Sequence, residues 1–206
     1  TNALATLGAF ALGAFLFPVA WYLLHRFVLH GSWMYKSPYF AKLWKRVHYD
    51  HHRYPNDLSV LFGGLHTTLP TIILVAGPVG FLIAGVPGAA ASIAGTRVMT
   101  MSTEFLHCGQ HLAFEPKSKF WQVMKERHLA HHFHNENGNF GITEFVWDRV
   151  FGTFYETKED APRTRTARNL GYDAEMAKKY PWVKEITDAD EKAAAAELAS
   201  RIFPSR

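Results

Sequence analysis

The distribution of charge along the chain limits its fold before any other feature does. No charged side chain occurs from Ala3 to Leu24, and none occurs over the 37 residues from Leu58 to Ala94. A helix needs about 20 apolar residues to cross a bilayer, so the first run predicts one spanning helix. Pro18 predicts a kink near its inner end, followed by Trp21 and Tyr22 at interfacial depth. The second run is too long for one span and short for two. Within it, Gly85-Val86-Pro87-Gly88 predicts a tight reversal, giving a hairpin of a shorter helix and a longer one that ends near His107. Arg97 falls in the second arm, where it implies a shallow depth or a snorkelling side chain. Between the two runs, Lys36, Lys42, Lys45, Arg46 and Arg53 place the connector on the cytoplasmic side, to which both ends of the hairpin return. The expected fold class is all-α: an integral membrane protein of about three transmembrane helices with a cytoplasmic helical cap.

The chain is long enough for one sizeable domain and too short for two comfortable ones. Residues 1–156 are expected to form the membrane-embedded domain, and residues 157–206 a charged, partly helical cytoplasmic tail. That tail carries 10 basic and 9 acidic residues, which reads as a solvated surface appendage. A helix is expected over Asp190–Ile202, capped by Asp188 or Asp190. Net charge is +4, and no nucleic-acid-reading motif accompanies it. The expected charged partner is therefore a membrane surface, not nucleic acid. A single cysteine, Cys108, excludes an internal disulfide framework and fits a reducing compartment. No cleavable signal pattern precedes the first histidines.

Histidine is the compositional outlier. Ten of the 12 fall in four groups: His25 and His30; His48, His51 and His52; His107 and His111; His128, His131 and His132. Positions i, i+3 and i+4 share a helix face, so each H-x-x-H-H is expected to aim three imidazoles at one point. At this histidine content one such triad arises by chance about 0.04 times. His107 and His111 share a face in the same way. His25 and His30, at i and i+5, diverge by about 140° on an ideal helix. They converge only if the helix loosens between them, or they serve different metals. Ten imidazoles exceed the four that tetrahedral zinc takes and suit two metals of five or six coordination each. Imidazole binds iron, copper, nickel and zinc, so spacing leaves the metal open. His66 reads as structural and His134 as an extra ligand or a supporting donor. Transport sites lie near the bilayer midplane, whereas these groups lie at helix ends, which disfavours a histidine-rich metal transporter.

The run Tyr22-Leu-Leu-His25-Arg-Phe-Val-Leu-His30, the two triads, and Asn139-Phe-Gly-Ile-Thr followed by Trp147-Asp-Arg-Val-Phe-Gly-Thr153 carry a family likeness. Over roughly Trp21 to Tyr155 the chain resembles the fatty acid hydroxylase / sterol desaturase superfamily of integral-membrane diiron oxygenases. The four-residue gap between His25 and His30 looks more like fatty acid 2-hydroxylases than sterol oxidases; carotenoid hydroxylases share the gap but are less similar around Trp147–Thr153. The resemblance implies a non-haem diiron monooxygenase that uses dioxygen as co-substrate on a fatty acyl or related lipid. Its metal ligands would be His25, His30, His48, His51, His52, His107, His111, His128, His131 and His132. Zinc can replace iron in purified protein, because the affinity order does not favour ferrous iron. A desaturase or a sterol or carotenoid oxidase of the same superfamily would share the site. Relatives commonly have four membrane helices, so a further, preceding helix is expected. Many eukaryotic relatives fuse a small haem domain; none is recognised here, so an external electron-transfer protein is expected. Ligating histidines need the other ring nitrogen held, which singles out Asp57, Glu104 and Asp148, with an ion pair to Arg149 or another basic residue as the alternative role of Asp148. Trp147 and Phe151 are expected to pack the cap onto the membrane helices.

Overall fold

Asn2 opens the first helix by accepting hydrogen bonds from the amides of Leu4 and Ala5. This helix, α1 (Ala3–Leu23), is apolar on every face and runs on through Pro18. The computed structural model describes residues 2–202, and all regular structure among them is helical. Thr1 and residues 203–206, the outer ends of the two expected regions, lie outside the described residues.

The second apolar run forms α2 (Leu65–His111), a helical hairpin that turns back at Ala84 and Gly85. Gly85 has φ +61°, in the left-handed region that glycine enters without steric cost. Pro87 follows in the first turn of the second arm, where its missing N–H is no loss. The arms lie so close that a Cβ on Gly80 would overlap the Gly88 carbonyl oxygen. Farther down, Arg97 donates to Thr68 (3.4 Å), and the Gly63 amide donates to Glu104 (3.2 Å). The reversal is therefore where the Gly-Pro punctuation predicts it. The second arm continues to His111, one turn beyond the expected end at His107.

Helix α1 packs along this hairpin through small residues. Thr96 donates to the Gly13 carbonyl (3.0 Å), and a Cβ on Gly95 would meet the Phe10 carbonyl. Close approach through small residues is how helices associate where lipid removes the hydrophobic drive. In each long helical stretch only 17% of the most apolar 18-residue window is buried. These helices therefore turn their apolar side chains outward, as a bilayer requires and as a soluble core helix does not.

The hydrophobic core sits beyond the long helices. Met34, Tyr35, Ala41, Trp44 and Tyr49 of the connector pack with Leu170, Tyr172 and Val183 from the C-terminal part. Two further helices, α3 (Lys119–Phe133) and α4 (Val146–Val150), follow the hairpin, and α5 (Trp182–Ile202) closes the described chain. Helix α5 starts eight residues before the expected Asp190, just after Pro181. Asp188 and Asp190 are not its cap: Asp188 pairs with Lys184, and Asp190 pairs with Lys45, which also holds Asp50 at 2.8 Å. Nor is the C-terminal part a solvated appendage, since Ala167, Leu170, Tyr172 and Val183 are buried. Among the described residues its charged side chains are exposed, while Leu170, Tyr172 and Val183 complete the core. Phe151 stacks on Tyr22 with ring centres 5.2 Å apart, so α4 rests on α1 as expected.

Candidate metal centre

The first two histidines leave α1 through a single π-helical turn, Leu24–Leu29. In that register the amide of residue i+5 bonds to the carbonyl of residue i, and the His30 amide bonds to the His25 carbonyl at 3.0 Å. One inserted residue per turn thus removes the divergence of an ideal α-helix, and the two rings stand 4.9 Å apart. A second π-turn, Lys45–Tyr49, precedes His51 and His52 and contains His48.

The ten clustered histidines form two groups of five. One comprises His25, His30, His48, His52 and His131; the other comprises His51, His107, His111, His128 and His132. Within each group one ring nitrogen per residue lies within 4.8 Å of all the others. The groups abut where His52 stacks on His132, ring centres 4.1 Å apart. Neither triad aims at one point. In each, positions i and i+4 serve one group while position i+3 crosses to the other, so His51 leaves His48 and His52, and His131 leaves His128 and His132. On a helix, i+3 and i+4 lie about 100° apart around the axis, enough to face two neighbouring centres. His66 and His134 belong to neither group: His66 is exposed, and His134 Nε2 bonds to the Ala161 carbonyl (2.8 Å).

These donor sets fit metal ions. In the first group all five Nε2 atoms are buried without a hydrogen-bond partner, a costly arrangement for lone pairs that nothing else satisfies. In the second, Nε2 of His107 lies 3.1 Å from that of His51 and 3.0 Å from that of His111, which is 2.9 Å from that of His128. Imidazoles at right angles around an ion with bonds of 2.0–2.1 Å have nitrogens about 3 Å apart.

In three histidines of the first group the opposite ring nitrogen is held by backbone, not by acids. His25 Nδ1 bonds to the Phe140 carbonyl (2.6 Å), His52 Nδ1 to that of Ala167 (2.8 Å) and His131 Nδ1 to that of Gly138 (2.7 Å). A carbonyl only accepts, so each Nδ1 carries the proton and each Nε2 keeps its lone pair. Asp57 instead caps a helical turn at Ser59 (2.9 Å), and Glu104 accepts from Gly63. Asp148 acts one step removed. Fully buried, it accepts from the amides of Phe140 and Gly141 (2.8 Å each) and from Thr153 Oγ1 (2.7 Å), which fixes the loop that carries the Phe140 carbonyl. The alternative of an ion pair with Arg149 or another basic residue is not met: no salt bridge to Asp148 occurs among the described residues, and the Arg149 guanidinium lies over the Phe154 ring, 3.6 Å from its centre. Asn139, at φ +53°, bonds through its side chain to both the amide and the carbonyl of Tyr155. Carbonyl anchors leave no mark on side-chain identity.

A cavity of about 600 Å³ opens beside the histidines. Phe17, Trp21, Leu24, Ile72 and Val75 supply apolar wall, and His25, His48, His51, His107 and His132 line one side. Thr96, Thr100, Thr103 and Glu104 add a polar strip.

Burial, the largest cause in each case, holds the imidazoles of His48, His51, His52, His128 and His132 well below their usual pKa and brings His131 to about 4. They are neutral at neutral pH, as ligation requires. Because the unfolded chain binds these protons more readily, folded stability falls as pH drops below the ordinary value of 6.5. The loss contributed by His131 is complete only below about 4. Thermal melts of metal-free protein are expected to shift downward between pH 7 and 5, and a flat profile would count against buried neutral imidazoles.

Comparison with known proteins shows the family. The profile of the family described as "Fatty acid hydroxylase" matches residues 10–153. Fatty acid 2-hydroxylase of Rattus norvegicus is 31% identical over 156 residues, covering 75% of this chain and 41% of that protein. Dihydroceramide fatty acyl 2-hydroxylase FAH2 of Arabidopsis thaliana is 30% identical over 166 residues, covering 75% and 63%. The chain thus spans less than two thirds of the length of either relative. A solved structure titled "Full length scs7p (only hydroxylase domain visible)" superposes with a TM-score of 0.64 at 29% identity, covering 80% of this chain and 61% of that one. The matched region contains all ten clustered histidines, and the chain belongs to the fatty acid hydroxylase family.

Proposed function

We propose that this protein is an oxygen-dependent acyl-lipid hydroxylase whose two histidine groups each hold one iron ion. The observation that carries this reading is the position of the cavity: its apolar walls lie between membrane-type helices, and five of the clustered histidines form part of its lining. An acyl chain entering from the bilayer would bring an unactivated C–H bond to the metals. In this reading α1 and the two arms of α2 cross the membrane, and the basic connector puts the helical cap and the metals on the cytoplasmic side.

His25, His30, His48, His52 and His131 would hold one ion, and His51, His107, His111, His128 and His132 the other. When bound, the irons supply the reduction of dioxygen that C–H hydroxylation requires. The chain itself does the rest. Carbonyl anchors on His25, His52 and His131 keep the lone pairs aimed, and the apolar wall seats substrate and excludes water. An external donor supplies two electrons. With two protons, one oxygen atom then enters the lipid and the other leaves as water. The similarity to 2-hydroxylases makes the carbon next to the acyl carbonyl the preferred position.

Cells making the chain are expected to accumulate an acyl lipid heavier by one oxygen, which carries label when they are grown under ¹⁸O₂. Mass spectrometry of extracted lipids reads this directly. Loss of two hydrogens without added oxygen would make the protein a desaturase. Metal flux into vesicles with no lipid product would make it a transporter.

A further inference from the structure

The family match ends at residue 153, yet one anchor of the first histidine group lies beyond it. The Ala167 carbonyl that holds His52 belongs to a strap of residues 161–172, which runs over the loop after α3. Four bonds stitch the two together near the strap's start: His134 Nε2 to the Ala161 carbonyl (2.8 Å), Asn135 Nδ2 to the Pro162 carbonyl (2.8 Å), the Thr164 amide to the His134 carbonyl (2.9 Å), and Thr164 Oγ1 to the same carbonyl (3.3 Å). Just after Ala167, Arg168 donates to the Arg53 carbonyl; just before it, the nearest latch is Glu136. Its two carboxylate oxygens accept separately from the hydroxyls of Thr164 and Thr166. Glu136 is only 4% exposed and, among the described residues, has no lysine or arginine salt bridge. Burying a carboxylate in this way is costly, and both its oxygens are committed to the strap. On the far side of Ala167, Leu170 and Tyr172 anchor the strap in the aromatic core.

We propose that the strap is a working part of the metal centre and that Glu136 is a positioning residue, which sets the Ala167 carbonyl on His52 and so controls retention of the ion in the first group alone. This role rests on the reading that both groups hold metal. It predicts an asymmetry that general destabilisation would not produce. His52 belongs to the first group, and among the described residues no second-group imidazole is hydrogen-bonded to the strap.

The test is metal release from the full chain in detergent, loaded with zinc as a redox-silent probe and challenged with a chelator. In Glu136→Ala one ion per chain is expected to leave at least about tenfold faster, the scale typical of lost outer partners, while the other leaves at the wild-type rate. Glu136→Gln, which keeps one acceptor oxygen, should restore most of the slow release. Thr166→Val should fall between Glu136→Ala and wild type. Release of both ions accelerated together, or of neither, overturns the role. If Glu136→Ala does not fold, Glu136→Gln and Thr166→Val are judged by the same split. A wild-type chain that takes up fewer than two ions would overturn the metal reading itself, and this role with it.

Discussion

Replacing His131 by alanine is expected to abolish hydroxylated lipid and to reduce bound metal from two ions per chain to one. His131 is the one residue of the second triad that crosses into the first group. It is completely buried, its Nε2 has no partner but the site, and its Nδ1 is fixed by the Gly138 carbonyl. Removing it takes one of five nitrogens from the first ion and unties the two triads at their crossing point. Loss of an outer partner alone typically costs ~10–100-fold in metal affinity or activity, so loss of a ligand should cost more than 100-fold. Lipid mass spectrometry and elemental analysis on the same preparation provide the check. Unchanged product would remove His131 from the site.

A second large effect is expected from Asp148→Ala, this time through the backbone. Its carboxylate accepts two amides and a hydroxyl in a fully buried position. Without it the amides of Phe140 and Gly141 lose their partner, at about 1–3 kcal/mol for each unsatisfied buried group. The expected loss of stability is therefore about 3 kcal/mol, read as a lower melting temperature in detergent. Because the Phe140 carbonyl then loosens on His25, metal affinity should also fall about 10-fold or more. Asp148→Asn keeps one acceptor oxygen and should lie between. Arg149→Met, which leaves the loop's acceptor in place, should change affinity little. An equal loss of metal in the arginine variant would restore the ion-pair role.

What could be read from the sequence followed from patterns that physics makes local. The uncharged runs and the Gly85–Gly88 punctuation placed α1 and the hairpin, because bilayer length and turn geometry act on contiguous residues. The histidine spacing marked the ten residues that the fold brings together. The sorting into groups was not legible. It depends on two π-turns, around Leu24–Leu29 and Lys45–Tyr49, and a one-residue change in helical register has no compositional signature. Nor were the anchors legible: acids such as Asp57 and Glu104 were the natural candidates, but a carbonyl is available at every residue and only tertiary contact selects Phe140, Gly138 and Ala167. The packed side of the C-terminal part is hidden in the sequence for a related reason. Its charge count hides the few apolar positions, Leu170, Tyr172 and Val183, that join the connector core.

The central claim is that ten histidines form two neighbouring metal sites. Its most direct test is elemental analysis of the purified full chain after expression with iron, alongside His48→Ala from the first group and His107→Ala from the second. Two ions per chain in the wild type and about one in each single variant are predicted. One ion or none in the wild type, or two retained in both variants, would contradict the account.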